Sequence, residues 1–210
     1  MEIFAQNQAA VSRCHDLARK YSTALSYQIQ MNVKMHSEKK DSVPIQSFTA
    51  ILIKSGRLFY REAFDQIVVL TKDGVALLID KSNLNIQMEK PDNEPIETPV
   101  SSLSDEKMAY NLISSTDGET VIETGAVPAF NIEKIRITVD NKTELISKVE
   151  YYYQDSEEIV FRKVVVDFLS TSLNSKQDDS VFELKKYVKK AKGDYFGTGS
   201  YTGYKVEKRY

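Results

Sequence analysis

The sequence predicts a mostly β protein of the α+β class, with one large antiparallel sheet and two helices set against it. Three observations carry this. Apolar residues alternate with polar ones in about eleven short runs. Those runs follow one another at hairpin distance, and no strand–helix–strand alternation interrupts them, which excludes a doubly wound parallel sheet. A sheet of that size must curl or close, because open twisted sheets rarely stay flat.

The first element is a helix over residues 9–25. Ala10, Cys14, Leu17, Tyr21, Ala24 and Leu25 recur at three- and four-residue spacing, with Arg13, Asp16, Arg19 and Lys20 between them. Cys14 falls on the apolar stripe as a small buried hydrophobe, and His15 beside it is a surface residue. Residues 27–36 follow as a strand with one dry face, Tyr27, Ile29, Met31, Val33 and Met35, and one wet face that includes His36. Strands are then expected at 45–54 and 57–61 around Ser55-Gly56, and at 64–71 and 75–80 around Lys72-Asp73-Gly74. At 84–89, Leu84, Ile86 and Met88 alternate with Asn85, Gln87 and Glu89.

Residues 90–104 hold three of the five prolines and read as a long loop within one domain. Ser104 with Asp105, Glu106 and Lys107 has the form of an N-cap and acidic first turn, predicting a short helix over 105–113. Strands resume at 120–125, 133–139, 145–153, 159–169, 181–189 and 201–207. In the basic run Lys185 to Lys192, Phe182, Leu184 and Tyr187 or Val188 are expected to point inward while the lysines guard a strand near an edge. Contact with an anionic membrane or a nucleic-acid backbone is the functional alternative for that run.

Composition narrows the classes further. The 210 residues carry 28 Lys+Arg against 30 Asp+Glu, a net charge of −2, which does not favour a generally basic nucleic-acid binder. One cysteine cannot build a disulfide framework, and with two histidines it cannot build a Cys/His zinc site. Phosphate-binding glycine loops, nucleotide fingerprints and nucleophile elbows are absent, so no enzyme, cofactor or metal is expected. Residues 1–8 resemble the tail of a secretory signal peptide, leaving 9–207 as a single domain, periplasmic or otherwise exported; an ordinary cytosolic start is the alternative.

The positive signal is surplus apolar surface. The strands at 45–54, 64–71, 75–80 and 159–169 are apolar on both faces and call for cover on both sides. Two helices cannot supply it, so the sheet either fills its own core or leaves a greasy cavity. Tyr27, Ile29, Met31, Val33, Met35, Ile86, Met88, Tyr151 and Tyr153 are the candidate lining of such a cavity.

The helix running into Tyr27-Gln28-Ile29-Gln30-Met31-Asn32-Val33-Lys34-Met35 resembles the start of the bacterial periplasmic lipoprotein-carrier family, of the LolA- and LolB-like outer-membrane lipoprotein-sorting type. Ser55-Gly56-Arg57-Leu58, followed by a strand, the Asp73-Gly74 hairpin and its partner strand to Asp80, is similar to that family's "S-G-x-L" region. The likeness covers roughly residues 9–207. It implies a strongly curved, unclosed antiparallel β-barrel of about eleven strands whose concave face is plugged by the N-terminal and mid-chain helices. It implies in addition a cavity for the acyl chain of a lipid or lipoprotein, with Arg61 as a gating residue. Glu62 follows Arg61 where the family often has proline, and the chain has no tryptophan. The expected partners are that acyl chain and a cell-envelope protein, with no nucleic acid, at most peripheral membrane contact, and a monomeric state. A cell-envelope interaction module with a filled core is the alternative function.

Overall fold

The computed structural model describes residues 2–40, 43–91, 109–156 and 160–210, with side chains described from residue 8 onward. Among the described residues one α-helix, α1 (Glu2–Ser22), precedes fourteen strands. These are β1 (Ser26–His36), β2 (Gln46–Ser55), β3 (Leu58–Ala63), β4 (Gln66–Leu70), β5 (Ala76–Asp80), β6 (Asn85–Glu89) and β7 (Tyr110–Ser115). The remainder are β8 (Glu119–Thr124), β9 (Ile132–Asp140), β10 (Leu145–Tyr153), β11 (Lys163–Leu173), β12 (Val188–Ala191), β13 (Asp194–Gly197) and β14 (Lys205–Lys208). Twelve of them form one sheet in the order β14-β6-β5-β4-β3-β2-β1-β11-β10-β9-β8-β7, whose end strands do not pair with each other, so the sheet is unclosed. Strands β12 and β13 stand apart as a two-stranded sheet. The chain divides into two compact units, residues 1–24, 31–48 and 97–171, and residues 25–30, 49–96 and 172–210.

In the first unit, α1 buries Ala10, Cys14, Leu17, Ala18 and Tyr21, the stripe its spacing predicts. Arg19 and Lys20 sit in the last turn, where cations suit the helix dipole. The Tyr21 hydroxyl accepts a hydrogen bond from the Ile146 amide at 3.3 Å. Burial pushes the Cys14 thiol up to about 12, which keeps it protonated and inert. Strands β7 to β11 are antiparallel, and Ile122, Ile137 and Val149 lie abreast on one buried face.

The opposite face carries charge. Glu123 pairs with Lys134 and Arg136, both at 3.0 Å, and Lys163 pairs with Glu150 at 2.7 Å. Lys134 and Lys163 lie 5.0 and 5.4 Å from the Tyr152 ring centre. The Lys163 and Glu150 side chains are only 5% and 13% exposed, so neither charge has water to fall back on.

In the second unit, β3 to β6 are antiparallel and Tyr60, Val69, Leu77 and Met88 run across them in register. With Ile53, Ile67, Ile79 and Ile86 they form a core closed by Phe182, Tyr187 and Val188. Strand β14 pairs with β6 in parallel and covers its edge. One turn design serves both units. The Asp80 carboxylate accepts the Asn83 amide at 2.9 Å and the Asp140 carboxylate accepts the Thr143 amide at 2.9 Å. Each turn then ends on a left-handed residue, Leu84 (φ 49°) or Glu144 (φ 55°).

Several expectations are corrected. The described residues hold fourteen strands, twelve in the one sheet, where about eleven were expected, and two in the separate hairpin. The predicted helix 105–113 fails where it can be seen, because Tyr110–Ser115 is strand β7; residues up to 108, and most of the loop 90–104, lie outside the described residues. Asn111 and Leu112 pair with Glu123 and Ile122 of β8, and that pairing outweighs the capping signal upstream. The predicted strand 181–189 is replaced by two 3₁₀ turns, Asp179–Phe182 and Leu184–Lys186, before β12. Phe182 and Tyr187 are both fully buried although their positions have opposite parity, which a flat strand could not arrange. Helix α1 starts at Glu2 and stops at Ser22, leaving Leu25 78% exposed. His36, expected on a wet face, is buried. Val68 and Leu78 are half-buried, so these strands have one dry face and one partly covered face.

Removing one member of the Lys163–Glu150 pair strands a buried charge. Lys163→Met should therefore lower the unfolding free energy by about 3–5 kcal/mol, while Lys163→Met with Glu150→Met should recover most of it. Urea denaturation of the three proteins measures both values.

Candidate functional site

The second unit gathers its lysines and aromatics around the β12–β13 hairpin. The chain reaches the hairpin through a short capped path. The Asp178 carboxylate accepts the Ser180 amide at 3.0 Å, and that backbone bond holds its pKa below the ordinary carboxylate range. The Lys72 amide donates to the Phe182 carbonyl at 2.9 Å, tying the β4–β5 turn to this path. Tyr187 then turns into the core, and its hydroxyl donates to the Val181 carbonyl at 2.6 Å. Its ring packs 5.4 Å from Tyr201, which meets Tyr204 edge-on at the same separation.

Two grooves flank the hairpin. The first, about 610 Å³, has a floor of Leu184, Val188 and Tyr195 and a rim of Lys72, Lys185, Lys189 and Lys190, with Asp73 and Glu183 the acidic members. The second, about 570 Å³, is lined by Lys189, Lys192, Phe196, Tyr204 and Lys205 among others. Lys185 is paired with Glu183 at 3.0 Å, and Lys190 lies over the Tyr195 ring at 5.9 Å. The first groove thus offers apolar contact below and positive charge at its lip, with no nucleophile and base pair among its lining side chains.

Beneath the hairpin path lies a polar knot on β3. The Glu62 carboxylate accepts from Lys81 and from the Tyr60 hydroxyl. Burial alone would raise its pKa, but these two partners outweigh it and hold the pKa below its ordinary value. Burial, then the Glu62 bond, pushes the Tyr60 phenol well up; burial does the same for Tyr187.

The residues singled out from sequence lie elsewhere. Tyr27, Ile29, Ile86 and Met88 belong to the second unit; Met31, Val33, Met35, Tyr151 and Tyr153 belong to the first. Tyr27, Ile29, Ile86 and Met88 have no exposed surface, and Ile86 and Met88 are packed in the core beneath Phe182 and Tyr187. Met31 is buried, and Val33, Met35, Tyr151 and Tyr153 are half-buried. Burial pushes the phenols of Tyr27 and Tyr151 up to about 12. None of the nine lines either groove. Arg61 is exposed, on the face of β3 opposite Tyr60 and Glu62. The sequence flags the lysine run but not the turn residues Lys72 and Asp73, which topology alone brings to it.

No family model matches the chain, and no curated protein does either. Solved structures do. An uncharacterized conserved protein from Thermus thermophilus is 8% identical with a TM-score of 0.52, covering 94% of this chain and 98% of that one. A putative outer membrane lipoprotein-sorting protein domain from Vibrio parahaemolyticus is 11% identical at a TM-score of 0.36, covering 84% and 97%. The Mycobacterium tuberculosis lipoprotein LppX is 10% identical at 0.41, covering 83% and 100%. At such identity the Thermus likeness shows a shared fold and nothing about activity.

The packing around the hairpin is open to two mutational checks. A Cβ on Gly197 would collide with the Tyr201 carbonyl oxygen, so Gly197→Ala should cost at least about 2 kcal/mol and lower the melting temperature. Because the Glu62 carboxyl titrates below its ordinary 4.5, its stabilisation is complete above that value and disappears as pH falls through the lower folded-state value. Glu62→Gln should therefore flatten the acid limb of a stability–pH curve taken from about pH 6 to 3.

Proposed function

We propose that this chain is a non-enzymatic, cell-envelope binder of the acyl chain of a lipid or lipoprotein that carries an anionic end. The observation that carries this reading is the first groove, an apolar floor under a lysine rim. Its volume falls within the range of about 300–1,000 Å³ typical of small-molecule sites. Burying ten methylenes gains about 8 kcal/mol, against at least about 4 kcal/mol for lost freedom of motion. The remaining ~4 kcal/mol corresponds to a dissociation constant of about 1 mM. A charge-assisted contact at the rim adds roughly 1.5–3 kcal/mol and brings it to tens of micromolar. Export to the periplasm accords with the resemblance of its motifs to lipoprotein carriers.

A second reading, an envelope interaction module with a filled core, is favoured by the sealed positions of Ile86 and Met88. Titration with a fluorescent fatty acid separates the two. Uptake at tens of micromolar, weakened at least fivefold by Leu184→Gln with the melting temperature retained, supports the groove. A folded protein that takes up no probe, or whose Leu184→Gln variant binds it equally well, leaves the interaction module.

A further inference from the structure

Strands β12 and β13 are joined by a two-residue turn, Lys192-Gly193, with φ of 52° and 94°. Turns with both central residues left-handed favour Asn-Gly or Asp-Gly. This one places a lysine where local conformation would prefer asparagine. The lysine does not stand alone. Residues 185–192 carry five lysines and no acid. On β12, Lys189, Lys190 and Ala191 are all exposed. Lys189 and Lys192 make no ion pair among the described residues, while Lys185 and Lys205 are paired with Glu183 and Glu207. Register sets Phe196, 47% exposed, directly across from Lys189 on the same face. Asp194 is the acid at this end of the hairpin.

We propose that the tip and outer face of this hairpin dock onto an anionic lipid bilayer. Lys189 and Lys192 meet the headgroups, and Phe196 sits at the level where aromatic rings favour the interface. Charge complementarity singles out that occupant. The cations are clustered lysines, compact point charges suited to a diffuse negative surface, with no arginine among residues 185–192 to read base edges or clamp a phosphate in two-point contact. The chain as a whole is acidic, which opposes the extended tracking of a nucleic-acid backbone. The docking stands without the alkyl-binding groove, and the two fail separately.

Co-sedimentation of the full chain with vesicles tests it, comparing pure phosphatidylcholine with the same lipid containing about 30 mol% phosphatidylglycerol. Binding is expected only to the anionic vesicles, and should fall steeply between about 0.05 and 0.5 M salt. Lys192→Glu combined with Phe196→Ser should weaken it at least tenfold. Lys192→Asn removes one charge yet suits the left-handed turn better, so it should weaken docking about fivefold while the melting temperature holds or rises. A loss of docking with rising stability cannot come from misfolding. No binding to anionic vesicles, equal binding to neutral ones, unchanged binding by the variants, or capture of a short DNA duplex in place of vesicles would each overturn the proposal. Vesicle binding without fatty-acid uptake keeps the docking and removes the groove reading; fatty-acid uptake without vesicle binding does the reverse.

Discussion

An apolar sheet face must be covered, and in the second unit the cover comes from one short stretch of chain. Ile53, Tyr60, Ile67, Val69, Leu77, Ile79, Ile86 and Met88 present that face, and Phe182, Tyr187 and Val188 close it. Burying each large side chain is worth about 1.5–3 kcal/mol, so these three supply several kcal/mol. They also fix where the lysines go. With Tyr187 pinned by its hydroxyl to the Val181 carbonyl and Val188 buried, Lys189 and Lys190 follow at the exposed end of the path. The lysine-rich surface is thus a by-product of how the core is sealed.

The first unit solves the same problem by different means. Its dry face is covered by α1, whose stripe from Ala10 to Tyr21 has helical spacing. Its other face is made of ion pairs around Tyr152, where each carboxylate answers a neighbouring cation across the ladder. Such pairs add less net stability than apolar packing would, because desolvation offsets most of their attraction. They do penalise a one-residue slip of register, which would set these charges against the dry face.

Much of the fold is legible in the sequence because strands with one dry face announce themselves by alternation, as at Tyr27 to Met31 and Ile135 to Val139. The stretch Phe182 to Val188 is not, since its apolar residues obey neither a two-residue nor a 3.6-residue period. Two 3₁₀ turns set by Asp178 capping and by the core itself decide their direction. Leu112 misleads because its partner Ile122 lies on the neighbouring strand, while the helix signal upstream is local and loud. The lysine run is visible as composition, yet its groove needs Lys72 from a distant turn, which no spacing rule supplies. Buried His36 shows the limit of strict alternation, since β1 changes its buried side along its length.

The parallel pairing of β14 with β6 has a consequence for biogenesis. Residues 178–208 leave the ribosome after β3 to β6, so those four strands wait with one oily face bare and the β6 edge open. Until the late segment arrives they are a template for aggregation, and the long sequence separation makes the closing step slow. A nascent chain of this design gains from a chaperone that keeps it extended until the whole polypeptide can collapse together.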